Sequence, residues 1–216
     1  MKRSKYIGLV MLFLVGCTSL EKVEKQPEQK IAEEEIKLVE QELVSSKDIL
    51  LIEDFDAGIQ TNYLGGNWGS WDRDPNDKTQ FCKEEFDEKN RYGKEGYCLK
   101  LTYDVDSPNP AYNGFWMKLE KSDFTPYSKI CFYTKIDEQV GGTDRFKVEL
   151  KNAKGEVGKA MVSGLNKDWQ LITIPFNKFR GISDLSEMTE FVIVFEDTVA
   201  NPKVGIVYID NIFVAK

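Results

Sequence analysis

The feature that most constrains the fold is a series of short apolar or alternating segments that starts at Ile49. In the segment 97–105, Leu99, Leu101, Tyr103 and Val105 are two residues apart, which places them on one face of a β-strand. Similar segments cover residues 49–55, 113–119, 129–136, 145–150, 169–174, 190–195 and 205–214. Turn signals separate them, including Gly65-Gly66, Pro108-Asn109-Pro110, Gly141-Gly142, Asn152 to Gly155 and Asn201-Pro202. Because no long amphipathic helix intervenes, the pattern predicts an all-β domain over 48–216, a two-sheet antiparallel jelly-roll sandwich.

The first residues have the pattern of an export signal. Lys2, Arg3 and Lys5 precede an apolar run from Tyr6 to Val15, which is shorter than the about 20 residues that a bilayer span takes. Leu14-Val15-Gly16-Cys17 resembles the bacterial lipobox. The resemblance implies cleavage after residue 16 and an acylated Cys17 as the first mature residue. Two or more acyl chains anchor stably, so we expect a cell-envelope lipoprotein, in the outer membrane of a Gram-negative host and otherwise at the cell surface. An ordinary signal peptide that happens to carry a cysteine is the alternative.

Residues 17–47 form the lipid attachment point and a charged tether. Glu, Lys and Gln dominate this stretch, which is typical of a solvated linker. Ala32, Ile36, Val39 and Leu43 recur at helical spacing, so a short helix with one apolar face is an alternative to disorder. Such a helix acts as a spacer, associates with itself or docks on another protein.

The composition excludes several functions. The formal net charge is -7, so a nucleic-acid partner is not expected. The chain has no histidine, which removes Ser-His-Asp and Cys-His catalysis and His-ligated zinc. Besides Cys17 there are Cys82, Cys98 and Cys131. They form either one disulfide with a cysteine left over or buried free thiols, and the sequence does not choose.

Three blocks, in order along the domain, resemble a known group of proteins. They are Ile52-Glu53-Asp54-Phe55-Asp56 followed by Gly65-Gly66-Asn67-Trp68-Gly69-Ser70-Trp71, then residues 168–180, then Val207-Tyr208-Ile209-Asp210-Asn211-Ile212. Together they are similar to the galactose-binding-like jelly rolls of carbohydrate-binding module family eleven, and to the related domain of complex I intermediate-associated protein 30. The resemblance implies non-catalytic binding of a polysaccharide or oligosaccharide. It also implies a structural calcium ion between the first and last strands, with Asp54, Asp56 and Asp210 as ligands.

The resemblance also implies a set of sugar-binding residues. Trp71 follows the Trp-Gly-Ser unit, and the strand Gly114-Phe115-Trp116 supplies another aromatic residue. Phe115 and Trp116 point to opposite faces of that strand, so only one of them lines a groove. Tyr112 is a peripheral candidate, whereas Trp68 and Trp169 are expected to be structural. Arg180 and Asp184 match the loop after Pro175-Phe176, but Leu185 stands where the family has a tyrosine, so the usual β-glucan specificity does not carry over.

Two other functions compete with carbohydrate binding. A jelly-roll glycoside hydrolase needs two paired carboxylates, and the Glu-x-Asp-x-Glu pattern of such enzymes is absent from the sequence. Glu149 and Glu196 lie on predicted strands without a convincing partner, so we do not expect an enzyme. A scaffold lipoprotein, in which the sandwich binds protein, is the stronger alternative because nothing in the sequence opposes it.

Overall fold

Residues 48–216 of a computed structural model form two stacked antiparallel sheets. The predicted signal peptide and the predicted tether lie outside the described residues. The strands are β1 (Ile49–Glu53), β2 (Trp68–Asp72), β3 (Phe81–Asp87), β4 (Cys98–Asp104), β5 (Tyr112–Ser122), β6 (Lys129–Ile136), β7 (Arg145–Asn152), β8 (Val157–Ser163), β9 (Gln170–Pro175), β10 (Met188–Glu196) and β11 (Val204–Ala215). A single 3₁₀ turn, Phe176–Lys178, follows β9. The prediction of an all-β jelly-roll sandwich is confirmed.

The first sheet has the order β3-β4-β11-β6-β9, and β1 pairs with the last part of β11. A bulge between Asp210 and Phe213 interrupts β11, and Asn211 has a left-handed φ of 46° there. At the end of this sheet the two termini of the domain meet, because Lys216 N donates to Asp48 O at 3.0 Å and Lys216 Nζ lies 2.8 Å from Asp48 Oδ1.

The second sheet has the order β2-β5-β10-β7-β8. On β5, β7 and β10 every second residue is apolar and buried, as the alternating sequence requires. These inward side chains meet those of the first sheet in one core, where the rings of Tyr103 and Phe195 stack at 4.1 Å. The residues between them form the outer face of the second sheet, which carries charged side chains together with Trp116, Val192 and Val194.

All the strands predicted from the sequence are present, and β2, β3 and β8 are additional. Leu99, Leu101, Tyr103 and Val105 are fully buried as predicted. Trp68 is structural, since it is 4% exposed in the main core. Trp169 is half-buried in a smaller cluster, where its ring contacts Tyr92 edge-on.

Cys82, Cys98 and Cys131 are buried free thiols, so the alternative of a disulfide among these residues is not realised. Burial raises the pKa of each thiol, which makes the reactive thiolate scarce. Within the described part of the chain, no helix is long and apolar enough to cross a membrane.

Candidate functional site

The outer face of the second sheet presents side chains in cross-strand rows. In the central row, Trp116 on β5 pairs with Val192 on β10, Val192 with Glu149 on β7, and Glu149 with Lys159 on β8. An isolated bridge then joins Lys159 to Arg180. Neighbouring strands are about 4.8 Å apart, so the row from Trp116 to Arg180 extends over roughly 19 Å. One end of this row carries the aromatic side chain of Trp116, and the other end carries the basic side chains of Lys159 and Arg180.

Trp71 and Trp116 form the aromatic end of this face. Trp71 on β2 pairs with Gly114 on β5, and Trp116 follows two residues later on the same face. A Cβ atom at Gly114 would lie 1.9 Å from the carbonyl oxygen of Ile193 on β10, so only glycine fits at this position of β5. The Trp116 indole N–H donates to Ser70 O at 3.3 Å, which holds the ring against β2.

Tyr112 extends this aromatic end beyond Trp71. Its ring contacts the Trp71 ring edge-on at 5.8 Å and is 40% exposed. The guanidinium of Arg73 lies 5.0 Å from the Tyr112 ring centre and donates to Pro110 O at 2.7 Å. The tyrosine is therefore held in place at the margin of the face.

A groove of about 330 Å³ lies beside the indoles, lined by Trp71, Trp116, Lys118, Glu149, Lys151, Glu190 and Val192. Two lysines clamp one carboxylate in its floor: Lys118 Nζ donates to Glu190 Oε1 at 2.5 Å, and Lys151 Nζ to Glu190 Oε2 at 2.6 Å. Burial alone would raise the pKa of Glu190, but these two hydrogen bonds outweigh it and lower the pKa. The carboxylate is therefore ionised and fixed.

A second groove, of about 750 Å³, opens between the edge strands β8 and β9. Its cations are Lys147, Lys159, Lys178 and Arg180. The ammonium group of Lys147 already has two ion-pair partners within the protein, Glu149 at 3.1 Å and Glu196. Both grooves share the outer surface of β7, because Glu149 and Lys151 line the first and Lys147 lines the second.

The structure brings together Trp71, Trp116 and Tyr112 and places the other sugar-binding candidates elsewhere. Phe115 is fully buried and packs on Trp68, because β5 turns it inward. Of the pair Phe115 and Trp116, only Trp116 can meet a ligand, so the prediction for Phe115 is corrected. Arg180 lies at the far end of the central row.

Asp184 lies in the loop between the 3₁₀ turn and β10, where it contacts the turn between β7 and β8. Its carboxylate pairs with Lys154 at 2.7 Å and accepts the Ser186 N–H at 2.9 Å. Glu156 accepts the Asp184 N–H at 3.1 Å and so fastens this loop to the turn. Asp184 acts here as a loop residue, and its hydrogen bonds, first of all with Lys154, lower its pKa.

The predicted calcium ligands lie near one another but already have protein donors. Asp54 accepts the Asp56 N–H at 3.1 Å and the Tyr63 hydroxyl at 2.8 Å. Asp210 accepts the N–H groups of Tyr92 and Asn211. Burial, together with the charges of Asp56 and Asp54, raises the pKa of Asp210 to about 8.

Across residues 48–216, no group of three acidic, histidine or cysteine side chains is arranged to hold a metal ion. The calcium site stays a prediction from the resemblance.

Sequence reasoning missed the charged floor of the grooves. Six charged side chains project from the outer face of the second sheet: Lys118, Lys147, Glu149, Lys151, Lys159 and Glu190. The signal was present in residues 145–151, where Arg, Lys, Glu and Lys alternate with buried Phe146, Val148 and Leu150. A strand that carries a charge at every outward position favours a polar ligand surface, but its neighbours cannot be inferred without the strand order.

Comparison with known proteins gives matches among solved structures. No family model and no curated protein matches the chain. A family 11 carbohydrate-binding module from Clostridium thermocellum, in complex with a β-1,3-1,4-mixed-linked tetrasaccharide, superposes with a TM-score of 0.57 and 20% identity. The match covers 78% of this chain and 95% of that chain.

Two further structures have the same architecture. The module CBM27-1 of Caldicellulosiruptor saccharolyticus, in complex with mannohexaose, has a TM-score of 0.52 and 16% identity over 78% of this chain and 97% of that chain. An exo-β-agarase has a TM-score of 0.53 and 12% identity, with 77% of this chain but 24% of that chain covered. The domain therefore has the same jelly-roll fold as these carbohydrate-binding modules. The resemblance predicted from the three sequence blocks is confirmed at the level of the fold.

Proposed function

We propose that the domain binds a polysaccharide or oligosaccharide, without catalysis, in the groove lined by Trp71 and Trp116. The observation that carries this proposal is the placement of both indoles on one outer face beside Lys118, Lys151 and Glu190. Flat aromatic faces suit the C–H faces of sugar rings, and a few fixed polar groups orient hydroxyls. The groove offers both kinds of contact.

The neighbours of the same fold support this proposal. Two of the solved structures are complexes with a tetrasaccharide and with mannohexaose. Fold likeness does not by itself carry function, so the argument for this chain depends on its own groove residues.

The state of Glu190 supports binding over hydrolysis. A glycoside hydrolase uses a general acid whose pKa is raised toward the working pH. The lysines beside Glu190 lower its pKa instead. A carboxylate that stays ionised suits acceptance of hydrogen bonds from sugar hydroxyls.

The anchor belongs to the same proposal. Cys17 follows the lipobox-like residues 14–16, and acyl chains on it would hold the binding domain at the cell envelope. The residues concerned lie outside the described part of the chain. We propose a membrane-anchored carbohydrate-binding lipoprotein, with the tether as spacer.

The test is binding of the full-length chain, in detergent, to an array of neutral and charged glycans. We expect Trp71→Ala and Trp116→Ala to weaken binding by about tenfold or more, which corresponds to at least about 1.4 kcal/mol. Phe81→Ala, which removes an exposed aromatic side chain from the first sheet, is the matched control and should bind normally. If the folded protein binds no glycan, the proposal is wrong, and crosslinking in cells should seek a protein partner.

A further inference from the structure

The second groove is basic on a chain that is acidic overall. The formal net charge is -7, yet Lys147, Lys159, Lys178 and Arg180 line this groove, and its described lining includes no Asp or Glu. Charges of one sign that converge in a groove focus an electrostatic potential and attract the opposite sign.

Three of these cations are free to bind a ligand. Lys178 and Arg180 are exposed, and no ion pair joins either of them to another residue of 48–216. Lys159 has only a distant carboxylate, with its Nζ 3.9 Å from Glu149 Oε1. Lys159 and Arg180 are cross-strand neighbours, and like charges in that position repel each other. An anion between them relieves this repulsion.

The basic groove continues the aromatic one. The central row joins Trp116 to Lys159 and Arg180 through Val192 and Glu149. A ligand that stacks on Trp116 and follows this row reaches Arg180 after roughly 19 Å at the usual strand spacing of about 4.8 Å. A chain of several sugar units is a ligand of that kind.

We infer that the ligand is an anionic polysaccharide, whose carboxylate or sulfate groups bind Lys159, Lys178 and Arg180 while its apolar ring faces stack on Trp71 and Trp116. This inference rests on the proposed function and specifies the class of glycan. Arginine matches carboxylate and sulfate oxygens with two parallel donors. A lysine ammonium group attracts the same anions as a point charge, and it does not require a particular orientation of their oxygens. The arrangement thus distinguishes charged chains from neutral ones.

The experiment compares matched pairs of glycans on the full-length protein in detergent. Polygalacturonate is compared with its methyl ester, and dextran sulfate with dextran, so that each pair shares a backbone and differs in charge. We expect the charged member of at least one pair to bind about tenfold tighter or more. The pair that shows the difference identifies the anion as carboxylate or sulfate. The preference should shrink between about 0.01 and about 0.15 M NaCl, where the Debye length falls from about 30 to about 8 Å.

Two double variants assign the effect to the groove. Lys159→Gln with Arg180→Gln should remove most of the preference for the charged member. Lys89→Gln with Lys94→Gln makes the same charge change at exposed residues of another loop and should leave the preference intact. Poly-L-glutamate tests an acidic polypeptide as ligand; if it binds as tightly as the acidic glycans and does so in Trp71→Ala, the inference is overturned.

The outcomes separate the two proposals. If charged and neutral glycans bind with equal affinity and Trp71→Ala loses that binding, the inference of an anionic ligand is wrong. Carbohydrate binding in the aromatic groove is then still supported. Absence of binding to every glycan overturns both.

Discussion

Lys159 and Arg180 exchange both of their backbone hydrogen bonds: Lys159 N donates to Arg180 O at 2.9 Å, and Arg180 N donates to Lys159 O at 3.0 Å. Lys159 belongs to the edge strand of the second sheet, whereas Arg180 belongs to the loop that follows β9 of the first sheet. These two hydrogen bonds therefore place Arg180, a residue of the loop after β9, on the outer face of the second sheet. This connection explains how one row of side chains combines aromatic and basic ends.

Gly158 gives the first prediction, because it lets the Arg180 loop approach β8. A Cβ atom there would lie 2.4 Å from Ile182 Cγ2 and 3.1 Å from Phe179 Cβ. We expect Gly158→Ala to displace the loop and to weaken binding of anionic glycans by about tenfold, the loss of roughly one good contact. Equilibrium binding measures this effect.

The control for Gly158 is a rescue. Ile182→Ala added to Gly158→Ala removes the Cγ2 methyl group that makes the closest contact, at 2.4 Å, and should restore part of the binding. If Gly158→Ala binds normally with the loop in place, Arg180 does not depend on this approach.

Phe115 and Trp116 give the second prediction, since adjacent residues of β5 should respond in opposite ways. Phe115 is fully buried in the core, so Phe115→Ala should lower the free energy of unfolding by about 3–5 kcal/mol. Trp116→Ala should affect glycan binding more than stability, because its ring lies on the outer face. Urea unfolding and glycan binding of both variants test the contrast, which fails if Trp116→Ala is as unstable as Phe115→Ala.

Glu156 gives a prediction for pH. It accepts hydrogen bonds from Ser183 N, Ser183 Oγ, Asp184 N and Asn152 Nδ2, and those from Ser183 are the main cause that lowers its pKa from 4.5 to about 2. A carboxylate whose pKa is lower in the folded state than in the unfolded state stabilises the folded protein at pH values above the pKa it has in the unfolded state. That contribution is lost as the pH falls from about 4.5 toward about 2.

Glu156→Gln should therefore flatten the fall in stability between about pH 5 and about pH 3 relative to the wild type. Urea unfolding at several pH values measures the two slopes. Glu88→Gln, at an exposed site in the loop after β3, controls for a general change of charge. Identical slopes for wild type and Glu156→Gln would contradict the prediction.

The calcium ion expected from the resemblance has a direct test. An ion that binds only the folded state raises its stability, so the melting temperature of chelator-treated protein should rise on addition of Ca²⁺. The rise should be absent in Asp56→Asn and present in Asp106→Asn, which changes an exposed carboxylate elsewhere. An unchanged melting temperature would contradict the calcium site and agree with the hydrogen bonds that now occupy Asp54 and Asp210.

Cys17 gives the last prediction. The mature protein should begin at Cys17 and carry the mass of attached acyl chains, and Cys17→Ser should move it from the membrane fraction to the soluble fraction. Mass spectrometry of the N-terminus and fractionation of cells measure both. An unmodified Cys17 in the mature chain would contradict the anchor.

The sequence predicted the central strands and the edge strand β9 because their apolar residues form a clear pattern, and it missed three edge strands whose pattern is weaker. β2, β3 and β8 each lie at the edge of a sheet. β3 reads Phe-Cys-Lys-Glu-Glu-Phe-Asp, and charges of this kind are common where a strand has one free side. Edge strands bury less surface, so their apolar pattern is weaker.

The candidate site was predicted in part. Trp71 and Trp116 were found because the sequence resembles a family, and Tyr112 because it lies in the proline-rich loop. The two-residue period showed that Phe115 and Trp116 face opposite ways. The lysines and glutamates of the grooves come together through the order β5-β10-β7-β8, which joins residues far apart in the sequence. Periodicity within one strand does not contain that order.

The contact between Asp48 and Lys216 at the end of the first sheet has a consequence for engineering. Because these residues are hydrogen-bonded neighbours, a short peptide could join them, and new termini could be opened at the exposed turn around Gly155. Every strand would keep its partners in such a circular permutant. A reporter fused at Lys216 would likewise extend from the first sheet and leave the opposite sheet clear.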